Sequence, residues 1–79
     1  MADHVVRGAA ARYGAGDYVG TLQYVAENEH LLDDVSRLPA LLQAFYAARD
    51  GGMLTEARRL AVRIAAEDPS VPTIQPFLK

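Results

Sequence analysis

SRLPALLQAFYAARDGGMLTEARRLAVRIAAEDP, residues 36–69, is the stretch whose pattern decides the fold. Leu38, Leu41, Leu42, Phe45 and Ala48 recur at the spacing of three and four that keeps side chains on one face of an α-helix. Ser36 precedes them as a helix cap, and Pro39 falls in the first turn, where a missing amide hydrogen costs nothing. Asp50-Gly51-Gly52 stops this helix, because glycine readily takes the left-handed conformation that ends one. A second helix follows from about Met53 to Glu67. It turns Leu54, Ala57, Leu60, Ala61 and Ile64 inward and Arg58, Arg59 and Arg63 mostly outward, and Asp68-Pro69 closes it. Two apolar stripes separated by a glycine turn make a helical hairpin.

The preceding residues repeat the scheme. A helix starting after Asp3 carries Val5, Val6, Ala9, Ala10 and Tyr13 on one stripe and stops at Gly14-Ala15-Gly16. Asp17 caps the next, in which Tyr18, Thr21, Leu22, Val25 and Ala26 share a face, and Asn28 is its natural end. No β-branched run alternates over a strand length, so the chain is predicted to be all-α, with four antiparallel helices over residues 1–69. Residues 70–79 form a tail with Pro72 and Pro76, which excludes a regular helix and predicts an extended or frayed segment. Its Val71, Ile74, Phe77 and Leu78 carry more apolar surface than a solvated linker, which suits a groove of this chain or of a partner.

The two halves echo each other at an offset of about 36 residues: Gly16, Tyr18, Thr21 and Val25 against Gly52, Leu54, Ala57 and Ala61. On these residues the chain resembles the tetratricopeptide repeat, whose unit is two antiparallel helices with a glycine at the turn, a small residue at the crossing and a closing proline. Gly52, Glu56-Ala57, Ala61, Ile64 and Pro69 fit the second unit, with Ala44, Ala47 and Ala48 as small contact residues; Gly16-Asp17-Tyr18 is the best match in the first. Thr21 departs from the usual alanine, no proline closes the first unit near Asp33, and the family's large aromatics are missing from the first helix.

Composition limits what such a fold can do. The 79 residues have a formal charge of −2 and no cysteine, which removes disulfides, thiolate zinc sites and thiol nucleophiles and gives no electrostatic reason to expect a nucleic-acid or membrane partner. Apolar runs fall short of the roughly 20 residues that span a bilayer. Asp3 stands where a secretory signal carries positive charge, so a cytoplasmic location is expected. Lys79 is the only lysine, a usage that fits codon bias and carries no mechanism.

No catalytic residue is predicted. Ser36 and Ser70 are explained as a cap and a turn, and neither Gly14-Ala15-Gly16 nor Gly51-Gly52 has the strand or lysine of a phosphate loop. His4 and His30 lack metal-ligand spacing; Glu27, Glu29, Asp33 and Asp34 beside His30 form a solvated acidic corner. No metal and no cofactor are expected.

Partner binding is the expectation instead. Each hairpin buries only one side, roughly three make a continuous core, and this chain has about two. A second copy, another protein, or the tail folding back must cover the open face. The candidate contact residues are Tyr24 and Tyr46, aromatics less easily placed inward; Arg58, Arg59 and Arg63, a basic helix face; and Ile74, Phe77 and Leu78 of the tail. The resemblance implies an adaptor, a complex-forming subunit or a chaperone, a role that bacterial secretion chaperones of this size fill. The alternative is a small nucleic-acid-binding or regulatory helical domain, which the net acidity disfavours.

Overall fold

The computed structural model describes residues 3–78; Met1 and Ala2 of the helical domain and Lys79 of the tail lie outside the described residues. It is all-α. Helices α1 (Asp3–Gly14), α2 (Tyr18–Asn28), α3 (Arg37–Asp50) and α4 (Leu54–Glu67) follow one another, with short 3-10 segments at Glu29–Leu31 and Pro72–Phe77. Each helix packs on the next, and α1 also reaches α3. The hairpins are α1–α2 and α3–α4, and they meet through α3, which packs on both helices of the first.

Both hairpin turns are built alike. Gly16 (φ 79°) and Gly52 (φ 74°) take the left-handed conformation, which strains any residue with a Cβ. The amide after each glycine reaches back five residues, Asp17 to the Arg12 carbonyl at 2.9 Å and Met53 to the Ala48 carbonyl at 2.8 Å, and so satisfies carbonyls that the helix end leaves free. Asp17 then caps α2 by accepting from the Gly20 amide at 2.9 Å. Thr21, fully buried where the resemblance expects alanine, donates its hydroxyl to the Asp17 carbonyl at 2.7 Å. That bond removes the cost of a polar group in the core.

The core lies along α3, where Ala40, Leu41, Ala44, Phe45, Ala47 and Ala48 are all buried. Burial thus extends to Ala40, Ala44 and Ala47 beyond the single stripe read from the sequence. The physical reason is neighbours on several sides: alanines let α1, α2 and α4 come close to α3 at once. From the other elements Val5, Ala9, Val25, Ala57, Leu60, Ala61 and Ile64 complete the cluster. Leu54, expected inward, is instead 61% exposed, because it sits at the first position of α4 with no helix beside it.

Two further expectations are corrected. Ser36 does not cap α3 through its own side chain. Its hydroxyl instead closes the turn that leads into α3: Asp33 Oδ1 accepts from the amides of Val35 and Ser36 (3.0 and 2.8 Å), while Ser36 Oγ accepts from the Asp33 amide (3.0 Å), a reciprocal arrangement like a capping box but one turn ahead of the helix. The second correction is the tail, which is neither extended nor frayed. Pro72–Phe77 winds as a 3-10 helix against α4, with Ile74 fully buried and the Phe77 ring edge-on to Phe45 at 5.2 Å. Pro72 stands in the first turn, where its missing amide is harmless, and burial of Ile74 and Phe77 offsets the interrupted hydrogen-bond ladder. The chain itself thereby covers part of the face that the sequence left open.

Candidate functional site

Between α2 and α4, above α3, lies a groove of about 270 Å³. Its floor is apolar: Leu22 and Val25 from α2, Leu41 and Ala44 from α3, and Leu60 from α4. The small side chain of Ala44 is what leaves room at the bottom. Glu29, Glu56, Arg59 and Arg63 form a charged rim.

The rim charges already hold one another. Two guanidinium nitrogens of Arg63 lie 2.9 Å from the two carboxylate oxygens of Glu29, and Arg59 pairs with Glu56 one turn before it on α4. The Arg63 hydrogen bond holds the Glu29 carboxyl below the usual glutamate range, against a smaller opposing effect of burial. Glu56 raises the pKa of the Arg59 guanidinium in the same way. A basic groove that grips a peptide carboxylate needs free cations, whereas both arginines here are occupied by the chain's own acids. The groove is therefore an apolar slot with a neutralised edge.

A separate cluster joins the ends of α1 and α3. The Tyr13 ring lies 6.0 Å from Tyr18 and 5.9 Å from Tyr46, and its hydroxyl donates to Asp50, which also accepts from Arg49 Nε at 2.9 Å. That bond to Asp50 raises the Tyr13 pKa, while Arg49 and then Tyr13 lower that of Asp50. Its partners satisfied internally, the cluster works as a clamp between hairpins. A broader hollow of about 330 Å³ opens between the starts of α1 and α3, lined by Val6, Val35 and Pro39 among others.

The eight residues singled out from the sequence do not form one site. Arg59 and Arg63 line the groove. Arg58 points elsewhere, beside Leu54 and Thr55. Tyr46 belongs to the clamp, with the Arg49 guanidinium 5.2 Å from its ring. Tyr24, expected to be free for a partner, packs inside its own hairpin: its hydroxyl donates to the His4 carbonyl at 3.3 Å and Arg12 stacks 3.9 Å from its ring. Ile74 is fully buried in the chain's own core and so is withdrawn from any partner; Phe77 is half-buried and Leu78 is 38% exposed.

Sequence reasoning missed Glu29 and Glu56 as rim residues, and Leu41 and Ala44 as the floor. In the sequence Glu29 belongs to an acidic corner, and nothing local signals its pairing with a residue 34 positions away. Among the described residues no group of three or more His, Cys, Asp or Glu side chains could hold a metal ion, and no helix is long and apolar enough to cross a membrane. The chain matches no protein-family model, no curated protein and no solved structure.

Proposed function

We propose that this chain is a non-enzymatic protein-interaction module of two tetratricopeptide-like hairpins, acting in the cytoplasm as an adaptor, complex subunit or chaperone. The groove between α2 and α4 receives an apolar segment of the partner protein. The observation that carries this reading is the slot itself, whose apolar floor of Leu22, Leu41 and Leu60 is set on rigid helices and edged by ion pairs. Such a floor supplies non-directional burial, and the rim supplies register. Rigid walls also keep the ordering cost of binding small.

The test places a photo-crosslinking residue at Gln23, on the rim, and another at Ala10, exposed on α1. Cells of the source carrying each variant are irradiated. The expected result is a covalent adduct to a second polypeptide from position 23, absent from position 10 and lost when Ala26→Trp plugs the mouth of the groove. Equal adducts from both positions, none from either, or indifference to Ala26→Trp would overturn the reading.

A further inference from the structure

Residues 70–78 form a unit bonded to itself. The Asp68 carboxylate accepts from the Ser70 amide (3.0 Å) and hydroxyl (2.6 Å). The Gln75 side-chain amide donates to the Pro69 and Val71 carbonyls (2.8 and 3.0 Å), and the Leu78 amide returns to the Gln75 carbonyl at 3.1 Å. Among the described residues no hydrogen bond or ion pair runs from this segment to any of the four helices. Its attachment is apolar, through buried Ile74 and through Phe77 edge-on to Phe45. A segment held in this way lifts off without breaking a polar contact to the helices, which makes it a unit of low local stability.

The helix it leans on is one wall of the groove. Among the described residues α4 packs extensively on α3 and on the tail segment, and has no comparable packing with α2, the opposite wall. The tail holds a different side of α4 from the groove, since no tail residue lines the groove. Of the ion pairs between described residues, Glu29–Arg63 crosses from one wall to the other. Such a tie resists separation of the walls and not their approach. Two apolar surfaces therefore compete for α4: the tail on one side, and on the other the groove floor with half-buried Leu22 beyond it.

We propose that the docked tail is a brace that keeps the groove open. When Ile74 and Phe77 leave, the burial remaining to α4 lies toward Leu22 and Leu41, so α4 leans toward α2 and the groove narrows. Tail docking and groove occupancy are then two states of one element, and each favours the other. The regulatory meaning of this coupling rests on the reading of the groove as the partner site.

The chain has no cysteine, so Glu27→Cys on α2 and Ala66→Cys on α4, both exposed and outside the groove lining, are clean sites for nitroxide labels. The distance between them is measured by double electron–electron resonance in the full chain, with and without Ile74→Asp. Amide exchange confirms that residues 72–77 have opened while α1–α4 stay protected. The expected result is a shortening of about 2 Å on tail release. Phe77→Ala, which leaves Ile74 in place, replaces Ile74→Asp should that change unfold the chain. A reciprocal arm needs no tail variant: Ala26→Trp, which fills the groove, should slow exchange of the Ile74 and Phe77 amides about fivefold. An unchanged or longer distance on tail release, or tail exchange no slower in Ala26→Trp, would overturn the proposal. Groove adducts from position 23 together with an unchanged distance remove the brace alone; a shortened distance without adducts removes the partner reading alone.

Discussion

Arg63 on α4 and Glu29 at the end of the first hairpin meet through two nitrogen–oxygen contacts of 2.9 Å each, and so close the groove at one end and tie the hairpins together. Both side chains are more than a third exposed, so solvent screening limits the pair to about 0.5–1 kcal/mol despite its two-pronged geometry. The folded Glu29 carboxyl titrates below its ordinary value. Its contribution is therefore complete above the unfolded pKa of about 4.3 and disappears as pH falls through the lower folded one. Glu29→Gln should melt lower than the parent at pH 7, and the two melting temperatures should converge as the pH falls below the lowered folded pKa of Glu29. Asp33, held below the usual aspartate range by the backbone and hydroxyl of Ser36, adds acid lability of the same sign.

Gly8 gives a test of the first hairpin. A Cβ there would stand 2.5–2.7 Å from the outer atoms of the Tyr24 ring, so the ring has to leave its place. Alanine favours a helix interior by about 1 kcal/mol over glycine, roughly what the lost ring contacts with α1 and Arg12 contribute. Gly8→Ala should therefore change stability by less than about 1 kcal/mol while releasing Tyr24 into solvent, which ring proton shifts in NMR will record. An unmoved ring would mean that α1 and α2 cross elsewhere.

The order of the tail is open to a single substitution. Ile74 is fully buried, and truncating a buried isoleucine costs about 2–5 kcal/mol. Ile74→Ala should lower the denaturant midpoint accordingly, or release residues 70–78 to rapid amide exchange if the segment opens before the rest. A frayed tail would show neither effect.

Ala57 sits where α4 crosses its hairpin partner and has no exposed surface. Ala57→Leu must overpack this crossing and should cost about 1–3 kcal/mol in thermal unfolding. Ala66→Leu, on the exposed side of the same helix, is the control and should stay within about 0.5 kcal/mol.

Much of the fold was legible because helix punctuation is local. Asp17, Gly16 and Gly52 act on amides and carbonyls within five residues, and each does in the structure what its residue type predicts. The inward set Ala57, Leu60, Ala61 and Ile64 was legible too, because neighbouring turns of one helix face the same way. Ser36 shows the limit even of local rules, since its hydroxyl is taken up by the turn before α3, bonded to the Asp33 amide and carboxylate, and caps no amide of the helix.

The groove was far less legible. Arg59 and Arg63 could be named as candidates for their charge, but the opposite wall at Leu22 and Glu29 becomes their neighbour only when the hairpins stack. The tail shows the same division. Pro72 and Pro76 rightly excluded an α-helix, yet they could not say that Ile74 and Phe77 would find an apolar surface on the second hairpin and wind against it.

By itself, then, the order of residues determined four helices, two glycine turns and the inward face of α4, because capping and periodicity operate within a turn or two of the backbone. Only the packed structure decided which alanines of α3 are covered on several sides, that Tyr24 belongs to its own hairpin, and that Glu29 neutralises Arg63. The Tyr24 and Glu29 contacts join residues from 12 to 34 positions apart, and shape complementarity between helices selects them rather than any local preference of the chain.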